Sequence, residues 1–384
     1  MHELIIDLGG ITNDALSRLS SNSSDGVLCP KLERLDWEVD VSCAPLPFFR
    51  LFLSLRLKRV NFHTRYPHFG VLWDQLPLVK EVISCLPASL EELSLACGPW
   101  NGEPLRDAIS SLVLRCGPPL RSFGSSTRLS KEAVCHLTRL PNLSSWVAVG
   151  EPPQAFSPTT FPPLEELRLK WGAIPWLHLL AGNEEGKARN GLAPAAATMN
   201  TNIKETLKLL HCPEDTPVGS ALLSSISSFR NLVTLSVGSG CYEMEDFCAF
   251  GLVDDDVENL AVTLPSLVSL QLGKVCGLNS CRTTVSSLLS ISTRCLGLTT
   301  LETHFNTRTI VGDIQRLLGE DSGRGKPRCE LQSLWVGRLP LRVCEEDIGT
   351  VAMGFVDIFP CLGCVSSRGL RGRRWESVTS KLRD

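Results

Sequence analysis

A leucine frame of the form LxxLxL recurs along the chain, and this repetition restricts the fold more than any other feature. Well-formed copies are LEELSL at 90–95, LEELRL at 164–169 and LVSLQL at 267–272, and ten frames start between Leu32 and Leu331. Most spacings run from 21 to 35 residues, which accommodates a strand, a turn and a helix. The frame therefore predicts an α/β leucine-rich-repeat solenoid (horseshoe) with a parallel concave sheet and outer helices.

The amino-acid composition agrees with a repeated leucine position. The 384 residues include 62 leucines but only 14 Phe and 2 Tyr, so leucine alone supplies much of the apolar surface. A chain of this length would usually divide into two or three domains, unless it is an array that grows by stacking. The leucine bias favours the array.

Charge and hydropathy indicate neither nucleic acid nor membrane as a partner. The chain has 38 basic and 41 acidic residues, which gives a net charge of −3 and no strong overall field. The first ten residues, MHELIIDLGG, have no basic stretch ahead of an apolar core, and no apolar window is long enough to span a bilayer. We therefore expect a cytoplasmic or nuclear protein.

The segments between the frames carry helical patterns. VDDDVENLAVTLP has the capping-box spacing at Asp255 and Glu258. It places four apolar residues on one face, namely Val257, Leu260, Ala261 and Leu264. Strand and helix are thus expected to alternate. Similar helical patterns are found in WDQLPLVKEVISCL, SKEAVCHLTRL, TTVSSLLSISTRC and CEEDIGTVAMGFVDIF.

Breaks in the rhythm suggest five segments. The predicted order is a lead-in or partial repeat at 1–28, repeats at 29–181, a flexible insertion at 182–202, repeats at 203–365 and a capping helix at 366–384. Trp375, Val378 and Leu382 form the apolar stripe of that last helix.

The segment 203–212 fits two structures. Leu207, Leu210 and Cys212 match a degenerate repeat strand, whereas Ile203, Leu207 and Leu210 match a helix. The pattern leaves both alternatives open.

The sixteen cysteines are predicted to be predominantly free thiols because an intracellular chain keeps its cysteines reduced. Five of them precede a repeat leucine by two to five residues, a position that suits small buried hydrophobes. These five are Cys29, Cys85, Cys116, Cys295 and Cys329.

No metal site, cofactor site or catalytic group is predicted. Cys361 and Cys364 form a single CxxC without the second pair of a zinc site, and His63 and His68 have no accompanying ligand motif. The aspartates at 254–256 lack the alternation of a calcium loop and suit a helix N-terminus.

The residues between the inward leucines are expected to face the concave side of the sheet. Their mixed charge and one tryptophan suit protein recognition better than a small-molecule pocket. The candidate partner-binding residues are Arg34, Asp36, Arg59, His63, Glu166, Arg168, Lys170, Gln271, Glu302, His304 and Trp335.

Several blocks resemble a known family. FRNLVTLSVGSGC, LAVTLPSLVSLQLG, CLGLTTLETHFN and the closing RRWESVTSKL are similar to the ribonuclease-inhibitor-like repeats of fungal F-box/leucine-rich-repeat proteins. The resemblance implies the substrate receptor of an SCF ubiquitin ligase, whose F-box holds a Skp-type adaptor while the repeats hold the target.

An F-box itself is not found in this sequence. Fewer than thirty residues precede Cys29, and LPLVKEVI at 76–83, which mimics an F-box opening, fits a repeat helix instead. Binding of a Skp-type adaptor is therefore expected only if an F-box is present upstream.

The sequence thus predicts a non-enzymatic protein-protein interaction module that binds an unidentified protein target, with the substrate-recognition region of an F-box-like receptor as the first interpretation. The alternative is a stand-alone leucine-rich-repeat scaffold or inhibitor unrelated to ubiquitin ligases.

Overall fold

The fold was analysed in a computed structural model. It describes residues 3–7, 17–18, 21, 27–39, 46–64, 76–96, 103–153, 161–170, 173–181, 201–212, 219–238, 251–273, 282–320, 329–336, 341, 343–367 and 373–383. The chain divides into two compact units, one holding Met1–Lys170 and Asn190–Asn202, the other Trp171–Arg189 and Ile203–Asp384. The division thus falls inside the predicted repeat segment 29–181, and the predicted flexible insertion lies, except for Thr201 and Asn202, outside the described residues.

The first unit is a parallel sheet with helical connections. Each strand pairs in parallel with the next one along the chain. The strands are β1 (Glu3–Asp7), β2 (Arg34–Val39), β3 (Arg59–Thr64), β4 (Glu92–Ala96), β5 (Ser122–Ser125), β6 (Ser145–Val149) and β7 (Glu166–Lys170). The connections include a 3-10 helix (Leu46–Phe52), α1 (Leu76–Cys85), α2 (Glu103–Arg115) and α3 (Lys131–Leu137).

The second unit repeats the same arrangement. Its strands, again parallel to their neighbours, are β8 (Leu209–Cys212), β9 (Thr234–Val237), β10 (Ser269–Leu272), β11 (Thr300–Glu302), β12 (Ser333–Trp335) and β13 (Cys364–Ser366). Its helices are α4 (Ala173–Ala181), α5 (Thr201–Thr206), α6 (Ser220–Ile226), α7 (Asp254–Thr263), α8 (Val285–Arg294), α9 (Ile310–Glu320), α10 (Glu345–Ile358) and α11 (Arg373–Arg383).

The middle residue of the leucine frame explains why the strands align. In the second unit this residue forms one continuous row across the sheet, and every member is 3% exposed or less. The row is Leu210, Leu235, Leu270, Leu301, Leu334 and Val365. Because a shift by one residue would turn this row to solvent, burial fixes the register. The predicted α/β leucine-rich-repeat solenoid is confirmed within each unit.

Each of the five predicted helical segments contains a helix. They form α1, α3, α7, α8 and α10, and each buries the apolar side of its pattern. The side chains of Val79, Val82 and Ile83 in α1 are buried, so LPLVKEVI is a repeat helix as predicted.

The N-terminus of α7 differs from the predicted capping box. The helix begins at Asp254, and Asp256 Oδ2 accepts a hydrogen bond from the backbone N–H of Val253 at 3.0 Å. The N-cap is therefore Val253 and not Asp255, because the helix starts two residues earlier than the spacing of Asp255 and Glu258 requires. Asp254 instead accepts two bonds, both 2.6 Å, from the backbone N–H and hydroxyl of Thr284, which caps α8.

Three strands fall outside the ten frames. β1 precedes the first frame, and β13 lies within the half-formed frame FPCLGCVSS. β8 decides between the alternatives left open at 203–212. Both alternatives are partly right there, because α5 ends at Thr206 and the strand follows at Leu209. Ile203 packs from the helix, and Leu210 and Cys212 pack from the strand, all without exposure.

The last helix covers apolar surface in the second unit. Trp375 and Val378 of α11 are fully buried, and the Trp375 ring stacks on Phe355 at 6.2 Å and meets Phe305 edge-on at 6.3 Å. Thr379 Oγ1 accepts from the Val365 backbone N–H at 3.0 Å and donates to its carbonyl at 2.7 Å. The stripe therefore packs as a capping helix does.

None of the helices in the described ranges combines the length and apolar character that crossing a bilayer requires.

Candidate protein-binding faces

Side chains along most strands alternate between a covered and an uncovered side of the sheet. In β4, for example, Leu93 and Leu95 are 1% exposed, while Glu92, Ser94 and Ala96 are partly exposed. We call the first, third and fifth residues of β1–β7 the first strand face. The same positions of β8–β13 form the second strand face.

Charged side chains of the first strand face pair across neighbouring strands. The Arg34 guanidinium lies 3.0 Å from Glu3 Oε1 and 3.0 Å from Asp36 Oδ2. Asn61 Nδ2 donates to Asp36 Oδ1 at 2.5 Å. These contacts tie β1, β2 and β3 together on the uncovered side.

Arg59 lies directly opposite Arg34 in the register of β2 and β3. Like charges in this position repel, so the two guanidinium groups point away from each other. Arg59 Nε lies 3.3 Å from Glu92 Oε1 on β4, while Arg34 turns to β1 and β2. Both arginine side chains keep more than a third of their surface exposed, so the pairs remain accessible to a partner.

The centre of the first strand face carries small uncharged side chains. Gly124 of β5 lies between Ser94 of β4 and Val147 of β6 in the same row. A Cβ at Gly124 would come 3.3 Å from Val147 Cγ2, so the Val147 side chain packs beside the position that a side chain at Gly124 would occupy. Gly124 itself is buried between these short neighbours.

The β7 end of the face is charged again. Glu166 accepts from Ser145 Oγ at 3.0 Å and from Arg168 Nε at 2.5 Å. Arg168 and Lys170 are exposed. All seven candidate residues predicted for this unit, from Arg34 to Lys170, therefore lie on one face.

The second strand face carries a polar ladder instead of ion pairs. Ser236 Oγ donates to Gln271 Oε1 at 2.6 Å, and Gln271 Nε2 donates to Glu302 Oε2 at 2.7 Å. Trp335 is the next residue in this row and is half-buried. Of the candidates predicted for this unit, Gln271 and Trp335 present part of their surface.

Glu302 and His304 are buried, with 6% and 1% of their surface exposed, so they are not available as partner-binding residues. The strand β11 ends at Glu302, so the alternation that placed His304 outward does not extend to it. Thr283 Oγ1 donates to the His304 carbonyl oxygen at 2.6 Å. Burial lowers the pKa of the His304 imidazole from 6.5 to about 4, against a smaller opposing effect of a hydrogen bond with the Gly273 backbone.

Sequence reasoning overlooked Glu92, Ser94, Gly124 and Ser145 as part of the first strand face. They occupy the same frame positions as the predicted candidates. The shared register of the frames is the sequence signal that identifies them.

Buried thiols behave as packed hydrophobes. Burial raises the pKa of Cys212 and Cys295 to about 12, and that of Cys116 to about 11 against a smaller opposing effect of Arg115. Cys295 and Cys329 donate to the carbonyl oxygens of Leu264 at 3.6 Å and Leu298 at 3.3 Å, each in the preceding repeat. Such protonated thiols are poor nucleophiles. Cys29 and Cys85 are only partly buried.

No group of three or more metal-ligating side chains occurs among the residues that the structure describes. Cys361 is exposed, and Cys364 Sγ donates to Ser333 Oγ at 3.6 Å. His68 lies outside the described residues, so the pairing considered for it with His63 is not placed.

Comparison with protein-family models finds no match for the chain, and comparison with curated proteins finds no significant match either. The fold and the strand faces therefore define the class: an α/β solenoid of leucine-rich repeats with polar uncovered sheet faces.

Proposed function

We propose that the chain is a non-enzymatic protein-recognition module that binds its target through the strand faces. The observation that carries the proposal is the contrast between the two sides of each sheet. One side buries the leucine rows under helices, while the other presents a grid of mainly polar and charged side chains, with a few apolar ones such as Ile5. Aromatic and arginine residues dominate the energetics of protein interfaces, and the grid includes Arg34, Arg59, Arg168 and Trp335.

The narrower proposal is that this module is the substrate-recognition region of an F-box-like receptor in an SCF ubiquitin ligase, acting in the cytoplasm or nucleus. Its support is the resemblance of the cysteine- and proline-flanked frames to that family. α1 buries Val79, Val82 and Ile83 in the first unit, so LPLVKEVI does not offer these side chains to an adaptor. Adaptor binding is therefore expected only if an F-box is present upstream.

Site-specific photo-crosslinking in cells tests the recognition role. A benzoylphenylalanine replaces His63 on the first strand face or Trp335 on the second, and matched controls replace Lys131 on α3 or Met353 on α10, which are exposed on helices. We expect discrete protein adducts from at least one strand-face position and none of the same size from the helix positions. Adducts that come equally from both sides would contradict the proposal.

The ligase role is tested with a purified Skp-type adaptor. The chain as given is compared in a pull-down with the same chain carrying an F-box fused ahead of Met1. We expect capture only with the fusion. Equal capture by the unfused chain would mean that α1 opens to bind the adaptor. A fusion that captures the adaptor but leaves the level of the crosslinked partner unchanged in cells would favour the stand-alone scaffold or inhibitor.

A further inference from the structure

The charges of the first strand face are unevenly distributed. Among its described side chains, β1–β4 carry four carboxylates and two guanidinium groups, whereas β7 carries two cations and one carboxylate. Between them, β5 and β6 place no charge on this face. The carboxylates are Glu3, Asp36, Glu38 and Glu92, opposed by Arg34 and Arg59.

The two charged ends have a defined separation. Neighbouring strands lie about 4.8 Å apart, so β3, at the middle of the acidic end, and β7 are separated by about 19 Å. An extended chain rises about 3.3 Å per residue, so about six residues bridge this distance. A helix of six residues covers only about 9 Å.

The surface between the ends carries short side chains. Gly124 has no side chain, and its row neighbours Ser94 and Val147 are short. The flanking residues Asn61 and Arg168 are longer and rise on either side. An extended backbone fits over such a floor, whereas a helix is held away by its own side chains.

We propose that the first strand face binds an extended segment of a protein partner that lies across the strands with opposite charges at its two ends. Basic residues of the segment lie over the acidic β1–β4 end and acidic residues lie over Arg168 and Lys170, about six residues further along, with small residues between. This inference rests on the proposed recognition function and names its partner class.

Charge complementarity favours this occupant over one with a single sign of charge. A uniformly basic segment meets Arg168 and Lys170 with like charge, and a uniformly acidic one meets the β1–β4 end, where carboxylates outnumber guanidinium groups by four to two. Like charges across an interface oppose binding and reject wrong partners. The overall charge of −3 would attract any basic ligand non-specifically. A preference for the mixed segment would therefore have to come from the distribution of charges on the first strand face.

Three fluorescein-labelled octapeptides test the inference by fluorescence anisotropy with the full chain. The mixed probe is Arg-Lys-Gly-Ser-Ala-Ser-Asp-Glu, and the single-sign probes replace its acidic pair by Arg-Lys or its basic pair by Asp-Glu. We expect the mixed probe to bind about tenfold more tightly than either control, which corresponds to about 1.4 kcal/mol. The difference should shrink as salt is raised, since exposed charges are screened.

A charge reversal at one end gives the decisive second measurement. Arg168→Glu combined with Lys170→Glu makes both ends acidic, so the preference should switch from the mixed to the basic probe. The control Lys131→Glu with Arg139→Glu makes the same change in charge at exposed helix-side positions of the first unit and should keep the original preference. Far-ultraviolet circular dichroism verifies that both variants fold.

Three results would overturn the inference: equal binding of the three probes, no measurable binding of the mixed probe, or the same switch in the control variant. In each case strand-face crosslinks at His63 would still support recognition of a different partner class. Absence of those crosslinks is the separate result that speaks against the proposed function.

Discussion

Replacement of Gly354 by alanine is a sharp test of the packing between two neighbouring helices. Alanine normally stabilises a helix interior relative to glycine by about 1 kcal/mol. Gly354 of α10, however, faces Ile314 of α9, and a Cβ built at Gly354 would lie 2.4 Å from Ile314 Cγ2 and 2.9 Å from its Cδ1. Ordinary carbon contacts are about 3.5–4.0 Å, so one side chain or helix must move by more than about 1 Å.

The magnitude follows from these two opposing effects. Ile314 is 1% exposed and β-branched, so it has little freedom to change rotamer. Overpacking of a filled core costs about 1–3 kcal/mol, and a clash of this size belongs at the upper end. After the propensity gain, we expect Gly354→Ala to lower the free energy of unfolding by about 2 kcal/mol.

The same helix contains a matched control. A Cβ at Gly349 meets no atom within 4 Å, so Gly349→Ala should raise the free energy of unfolding by about 0.5–1 kcal/mol. Two identical substitutions five positions apart in α10 should therefore act in opposite directions.

Urea unfolding followed by far-ultraviolet circular dichroism measures both variants, and hydrogen exchange of α9 and α10 peptides localises the effect. A double-mutant cycle adds Ile314→Ala, which removes the clashing atoms. In that background Gly354→Ala should become stabilising by about 1 kcal/mol. The reasoning is refuted if Gly354→Ala stabilises the protein as Gly349→Ala does, or if its cost is unchanged without the isoleucine side chain.

Other predictions concern the core, pH and binding. Leu270→Ala removes a buried frame leucine and should lower the free energy of unfolding by about 2–5 kcal/mol. Hydrogen exchange should rise mainly in β9–β11. A loss of stability smaller than that of a surface substitution would contradict the burial of the frame leucines. Because the folded pKa of His304 is about 4 and the unfolded value is 6.5, the unfolded state binds the extra proton between these values, so stability should fall by a few kcal/mol as the pH drops from about 6.5 to about 4. His304→Asn should flatten this dependence in urea midpoints measured across that range, and an equally steep profile in the variant would exclude His304 as its source. Trp335→Ala should weaken a partner that crosslinks to the second strand face by about 1–4 kcal/mol, whereas Met353→Ala, on the helix side, should leave the affinity unchanged in the same titration.

The repeated architecture was predictable because burial acts on every frame in the same way. Leu270 and Leu301 lie in one row for the same physical reason, so ten weak patterns reinforce one another. The signal failed where it was short. β1 offers only the residues ELIID, without a frame, and the helix-to-strand change near Leu207 needs only two residues.

The candidate site was less predictable than the fold. Alternation places a side chain on a face only while the strand continues, and β11 ends at Glu302. His304 therefore lies beyond the rule and is buried. The exposure of a side chain also depends on the residues that surround it in the fold. Glu302 occupies an outward-facing position of its strand, yet it is buried, and the local sequence does not reveal this. Gly124 is the opposite case, since its contribution is an absent side chain.

The alkylation rates of the buried thiols report how often individual repeats open. Cys116 lies in the first unit, and Cys212, Cys295 and Cys329 lie in successive parts of the second, so a small alkylating reagent can reach each one only when its surroundings open. The thiols of Cys295 and Cys329 also bond to the repeat before them, so each labelling rate reports the parting of a particular pair of repeats. Alkylation followed over time by peptide mass spectrometry would thus rank the contacts between neighbouring repeats by how often they open. No engineered probe is needed.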